Sequence, residues 1–274
     1  MNPVVSVERL AEQLDDPDLR IIDCRFELDD PTAGRRRYEA GHIPGAVYVS
    51  LDDDLSAPPS VGRHPLPDLA TFAQRFGDLG VGDSHRVVAY DDAGGAHAAR
   101  LWWMRRAAGH PRVTVLDGGW RAWVTAGLPI SDETPSYAPA PSSAVTEWPD
   151  VIERGELANR LDEVTLIDAR APERYRGEVE PLDPVAGHIP GAINLPYAGN
   201  LGRDGRFLPP GDLRSRYGTA AGGQVVVYCG SGVTACHDIL AMELAGIDGA
   251  LLYPGSWSDW STAGGAVATG GAAG

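Results

Sequence analysis

Cys229 lies in the run Tyr228-Cys-Gly-Ser-Gly-Val-Thr-Ala-Cys-His237, between a continuously apolar stretch, Val225–Tyr228, and a helical pattern that begins near Thr234. A thiol at such a junction can act as a nucleophile. Gly230 and Gly232 let successive backbone N–H groups converge on one point, and the N-terminus of the following helix adds roughly half a positive charge. Both effects favour a thiolate, so Cys229 needs no neighbouring histidine base. A cysteine serving only as a small core residue would not call for those glycines. Gly230, Ser231, Gly232, Val233 and Thr234 form the candidate anion-binding set. The Ser231 hydroxyl has two readings: it bonds its own loop backbone, or it bonds a substrate. Cys236 also has two, a resolving thiol for Cys229 or a buried residue of the helix.

The chain carries a second version of these motifs in the same order. Arg20-Ile-Ile-Asp-Cys-Arg25 and Gly41-His-Ile-Pro-Gly-Ala46 return as Thr165-Leu-Ile-Asp-Ala-Arg170 and Gly187-His-Ile-Pro-Gly-Ala192. Arg86-Val-Val-Ala-Tyr90 matches Gln224-Val-Val-Val-Tyr228, and Leu116-Asp-Gly-Gly-Trp-Arg-Ala-Trp123 matches Tyr253-Pro-Gly-Ser-Trp-Ser-Asp-Trp260. This is a tandem duplication, with a loop insertion in the first copy near Asp52–Pro67. In the first copy the nucleophile position is Asp91, which cannot do thiol chemistry. One half is therefore active and the other supports it. Features shared by both copies are read as structural: His42 and His188 at the Pro-Gly turns, Asp23 and Asp168 at strand ends, Arg25 and Arg170, and the paired tryptophans. Cys24 belongs to the inactive copy and is expected to be buried.

Short β-branched runs alternate with helical patterns within each copy. Leu166–Asp168, Ala192–Leu195, Val225–Tyr228 and Ala250–Tyr253 are predicted strands; Val151–Asn159 and Thr234–Ala245 are predicted helices. The alternation predicts an α/β fold with a parallel sheet flanked by helices in each copy. Ligands of such sheets bind outside the carboxyl ends of the strands, where Cys229 falls. The expected organisation is a first domain over 1–130, a proline- and serine-rich linker over 131–145, and a second domain over 146–274 with a flexible tail from about residue 262.

The 274 residues carry a net charge of −15, and every one of the 23 basic residues is arginine. That balance argues against a nucleic-acid partner. No apolar run approaches the roughly 18 residues of a membrane span, so no membrane partner is expected. The start shows no export leader, and three cysteines do not make a disulfide framework. The expectation is a cytoplasmic, thiol-reduced protein. His97 and His237 lack metal-ligand spacing, so no metal is expected.

The duplicated GHIPGA motif, the cysteine loop and the tryptophan-rich GSWSDW ending resemble a two-domain rhodanese-like sulfurtransferase over nearly the whole chain. The CGSGVTA loop is most similar to the 3-mercaptopyruvate branch of that family. The resemblance implies an inactive first domain, an active second domain and a site at their interface. It implies that Cys229 takes a sulfane sulfur from a small anionic donor as a persulfide and passes it to a small thiol, thioredoxin, cyanide or another protein acceptor. It implies no metal or organic cofactor. Thiosulfate is the alternative donor, although that branch carries basic residues just after its cysteine and Gly230 and Ser231 are neutral. The resemblance places a substrate arginine at Arg174. The second arginine it implies is absent, since Leu182 stands there, and Arg170, Arg176 and His42 are further candidates. Two other readings are weaker. A cysteine phosphatase needs an arginine to clamp phosphoryl oxygens, and this loop contains none. A non-catalytic binding module would have no reason to keep Cys229 in its glycine loop. The donors are anions, so the acidic field opposes their approach and binding must rest on local dipoles and a few arginines.

Overall fold

The computed structural model describes residues 2–218 and 222–271. By spatial proximity the chain divides into two units. Unit 1 holds 1–57, 66–149 and 203–206; unit 2 holds 58–65, 150–202 and 207–274. The segment 58–65, placed by its sequence position within the first domain, groups with the second unit through contacts described below.

In unit 1 the elements are β1 (Val4–Val5), α1 (Val7–Ala11), β2 (Leu19–Asp23), α2 (Ala33–Ala40), β3 (Ala46–Tyr48), α3 (Leu69–Asp78), β4 (Arg86–Tyr90), α4 (Ala98–Ala107), β5 (Val113–Leu116) and α5 (Gly119–Thr125). The strands form one parallel sheet in the order β1-β5-β4-β2-β3. Helix α3 shows how local sequence sets an element. The Asp68 carboxylate caps it by accepting the Thr71 N–H at 2.9 Å, and Leu69, Phe72, Ala73 and Phe76 recur on its buried face. The proline-rich 131–145 segment contains no helix and runs along this unit. The Tyr137 hydroxyl donates to the Gly45 carbonyl at 2.9 Å, and Ser143 N–H and Oγ–H both donate to Asp83 at 2.9 Å.

Unit 2 contains α6 (Arg154–Asn159), β6 (Val164–Asp168), α7 (Pro172–Tyr175), β7 (Ile193–Asn194), α8 (Pro210–Arg216), β8 (Gln224–Tyr228), α9 (Thr234–Leu244), β9 (Leu251–Leu252) and α10 (Ser256–Thr262). Its parallel sheet runs β7-β6-β8-β9. After Gln224, strand β8 is continuously apolar because both its faces are covered; Val225, Val226, Val227 and Tyr228 are all buried. Helix α6 begins three positions later than the pattern predicts. Leu252 donates its N–H to the Asp150 carbonyl and accepts the Ile152 N–H, so this stretch extends the sheet before the chain can coil. The stretch after residue 262 lies against unit 2. Ala268 and His188 exchange backbone hydrogen bonds of 2.9 Å, Trp260 Nε1–H donates to the Ala266 carbonyl, and Gly270 N–H donates to the Arg176 carbonyl.

The duplicated motifs build the same lock in each unit. In unit 1 the buried Arg25 guanidinium spans the Asp23 carboxylate at 2.6 Å and the Gly41 carbonyl at 2.7 Å, and lies over Trp120. In unit 2 Arg170 spans Asp168 at 2.7 Å and the Gly187 carbonyl at 2.6 Å, and lies over Trp257. Each turn histidine stacks on a tyrosine and bonds that tyrosine's carbonyl through Nδ1: His42 on Tyr38, and His188 on Tyr175. Buried pairs of this kind specify a geometry more than they add stability. Here they tie the end of one strand to the turn that enters the next.

Candidate active site

Cys229 leaves the carboxyl end of β8, and the loop 230–233 leads directly into α9. The loop is fastened from behind. Cys229 N–H donates to Ser256 Oγ at 3.1 Å, Trp257 N–H donates to the Cys229 carbonyl at 3.0 Å, and Ser258 N–H donates to the Gly230 carbonyl at 2.9 Å. Gly232 has φ +76°, and a Cβ there would lie 2.6 Å from the Pro254 carbonyl oxygen, so no other residue fits. Cys229 is itself only 2% exposed. Cys236 is fully buried on the first turn of α9, with Sγ directed at the Gly232 carbonyl at 3.4 Å.

The corresponding loop of unit 1 shows what such a cradle holds. The Asp91 carboxylate accepts four backbone N–H groups, from Ala93, Gly95, His97 and Ala98, each at 2.8 Å. An anion at the end of the central strand is neutralised by convergent amides alone. Cys24, by contrast, is wholly buried in unit 1. Burial, with the carboxylates of Asp91, Asp23 and Asp54 nearby, pushes its thiol well above the ordinary range, so it is a poor nucleophile.

Two functional side chains come from the segment 58–65, and the sequence reading did not single them out. His64 is buried, with Nδ1 2.7 Å from Ser231 Oγ. Arg63 donates its backbone N–H to Ser258 Oγ at 3.1 Å and pairs through Nη1 with Asp183. A Cβ built on Gly230 would lie 2.8 Å from Arg63 Nη2 and 3.4 Å from Arg174 Nη1, so two guanidinium groups reach the residue after the thiol. Their counter-charges are also local. Arg174 bonds Glu180 through Nη2 at 2.6 Å and through Nε at 3.3 Å, and Asp183 through Nη2 at 3.2 Å. Burial raises the Asp183 carboxyl above its usual range despite Arg63 and Arg174. An open recess of about 500 Å³ is lined in part by Val61, Arg63, Leu182, Asp183 and Ser258.

The remaining candidates have other partners. Arg170 is enclosed by Asp168, Glu180 and the Gly187 carbonyl, Arg176 pairs with Glu178 at the surface, and both ring nitrogens of the buried His42 face the carbonyls of Tyr38 and Glu133. Among the described residues no group of three or more His, Cys, Asp or Glu is placed to hold a metal ion, and no helix is long and apolar enough to cross a membrane.

The sequence profile of the rhodanese-like domain matches residues 6–126 and again residues 153–263. The chain belongs to the rhodanese-like family. Two bacterial relatives of this rhodanese-like chain bear provisional names. A 3-mercaptopyruvate sulfurtransferase of Pseudomonas aeruginosa is 46% identical over 269 residues, covering 94% of this chain and 95% of that protein. A thiosulfate sulfurtransferase of Mycobacterium tuberculosis is 45% identical over 260 residues, covering 91% and 90%. Among solved structures, a 3-mercaptopyruvate sulfotransferase of Escherichia coli superposes with a TM-score of 0.83 at 32% identity, covering 94% of this chain and all of that one. The duplicated rhodanese-like sheets, with helices on both faces, are thus the fold expected from the repeats.

Proposed function

We propose that the chain is a sulfurtransferase in which Cys229 takes a sulfur atom from an anionic donor, holds it as a persulfide and yields it to a nucleophilic acceptor. The favoured donor is 3-mercaptopyruvate, the compound in the name of the Pseudomonas relative. One observation carries the reading: Cys229 stands where Asp91 stands in unit 1, at the focus of a loop that there collects four N–H donors on one anion. A cradle that neutralises a carboxylate also neutralises a thiolate and the outer sulfur of a persulfide.

In the first half-reaction the Cys229 thiolate attacks the donor's thiol sulfur. The sulfur–sulfur bond forms as the donor's carbon–sulfur bond breaks, and that bonding pair moves into the enolate of pyruvate. The Ser231 hydroxyl, with His64 Nδ1 2.7 Å behind it, bonds the carbonyl oxygen where charge develops and passes on the proton that converts enolate to pyruvate. In the second half an acceptor, whether a thiol, cyanide or a protein cysteine, attacks the outer sulfur and Cys229 departs as thiolate. Cys24, Cys229 and Cys236 as thiols rather than disulfides suit a reducing compartment such as the cytoplasm.

Mass spectrometry after exposure to mercaptopyruvate without acceptor tests this. One added sulfur on Cys229 is expected, together with loss of transfer in Cys229→Ser. Sulfur on Cys24 or Cys236, or transfer by the variant near the wild-type rate, overturns the mechanism. A second reading, thiosulfate as donor, is favoured by the two guanidinium groups beside Gly230, which suit a dianion. The ratio of kcat/KM for the two donors with a common acceptor decides between them.

A further inference from the structure

Resting on this reading of the site, we infer that Ser256 is a positioning residue for Cys229, kept in a strained backbone conformation because its hydroxyl anchors the main chain of the nucleophile. Ser256 is wholly buried at the head of α10 and has φ +53°. Among the described residues, Asp150 is the only other non-glycine residue with a positive φ. A side chain is crowded in that region, whereas glycine enters it freely. The duplication supplies the comparison. Leu116-Asp-Gly-Gly-Trp120 in unit 1 aligns with Tyr253-Pro-Gly-Ser-Trp257, which puts Gly119, with φ +54°, at the matching place. The two turns share one backbone conformation at this residue. Unit 1 meets it with glycine, and unit 2, which carries the nucleophile, keeps a serine there at a conformational cost.

The hydroxyl is fully used. Ser256 Oγ accepts the Cys229 N–H at 3.1 Å and donates to the Tyr253 carbonyl at 2.9 Å, while the Trp257 N–H donates to the Cys229 carbonyl at 3.0 Å. Two successive residues therefore fix both backbone polar groups of Cys229. In unit 1 the Trp120 N–H makes the same bond to the Asp91 carbonyl at 2.8 Å, but Gly119 has no hydroxyl to offer. A Cβ built on Gly119 would lie 2.3 Å from that carbonyl oxygen, so this turn is shaped for glycine. Asp91 has another anchor, its own carboxylate, held by four N–H groups. A side chain that must gain and give up a sulfur atom cannot be tethered in that way. The fixed point moves from the side chain to the main chain, and Ser256 supplies it. Without the hydroxyl, the Cys229 N–H loses this acceptor inside a buried turn and the reacting sulfur is free to drift. Misplacement of a reacting atom costs rate more than binding.

Ser256→Gly separates function from stability, because it removes the hydroxyl and the backbone strain together. Its melting temperature is expected to be no lower than that of wild type. Its kcat for transfer from 3-mercaptopyruvate to a common thiol should fall by about 10- to 100-fold with KM little changed. Ser256→Ala loses the hydroxyl but keeps the strained φ, so it should be as slow as Ser256→Gly and melt below it. Single-turnover mass spectrometry should place the loss in the rate at which Cys229 gains sulfur. Transfer by a stable Ser256→Gly at the wild-type rate overturns the assignment. A loss confined to KM does so as well, since the residue would then act on the donor. A Ser256→Gly chain that melts below wild type also overturns it, because the serine would then be kept for stability. The broader proposal fails separately: if wild-type Cys229 never gains sulfur from mercaptopyruvate, the sulfurtransferase reading falls, whatever Ser256 does.

Discussion

Ser231 and His64 lie 167 positions apart in the chain and 2.7 Å apart in space. If they relay a proton to the leaving enolate, Ser231→Ala should lower kcat on the order of a hundredfold with little change in KM. His64→Gln should have no further effect in the Ser231→Ala background, since residues acting through one bond do not add. Additive losses in steady-state kinetics would show that the two act separately. What was legible at this scale was what lies close in sequence. Cys229, its glycines and Ser231 form one run, and Arg174 follows a recognisable strand end. Arg63 and His64 were hidden because their partners are remote and their surroundings, Pro58–Pro65, have the composition of any exposed loop. A Gly-Arg-His-Pro run inside an insertion was the available signal.

At the scale of elements, the loops at the ends of β4 and β8 are built alike and finished differently. In unit 1 the Asp91 carboxylate satisfies four amides that would otherwise compete for water or remain unpaired. Asp91→Asn should cost about 1–3 kcal/mol, seen as a lower urea midpoint; an unmoved midpoint would mean that the amides find other acceptors. Helix α9 carries the fully buried Asp238, which accepts a 2.7 Å hydrogen bond from Asn200, itself bonded by Tyr217 and Arg216. Burial dominates over these partners and raises the Asp238 carboxyl from 3.8 to about 7. The folded state then keeps this proton to higher pH than the unfolded chain does. Its contribution to stability is present below 3.8 and declines as pH rises toward about 7. Unfolding of Asp238→Asn across that window should show a flatter profile than wild type, and parallel profiles would exclude Asp238 as the source. Strands were legible because buried parallel strands are apolar without a break. The start of α6 was not, because the bridge between Val151 and Leu252 is a long-range contact that helical periodicity does not encode.

For the whole molecule, a charge of −15 faces an anionic donor. Salt screens the exposed surface charge more than it weakens contacts inside a partly buried site. Moderate ionic strength should therefore raise kcat/KM for mercaptopyruvate and leave mercaptoacetone, with a methyl group in place of the carboxylate, nearly unchanged; a fall for mercaptopyruvate would show that local pairing outweighs the field. The tandem organisation was legible from motif order, since each copy repeats its strand, turn and tryptophan landmarks. The grouping of 58–65 with unit 2 was not, because position along a chain says nothing about which core a loop joins. The Asp91 cradle has one more consequence, in the language of mass action. Its ligand is tethered, so its occupancy does not depend on any concentration in solution, while that of the Cys229 cradle follows the supply of donor. Two loops of common descent thus differ as a fixed load differs from a variable one, and donor-dependent stabilisation should be confined to unit 2, where hydrogen exchange can locate it.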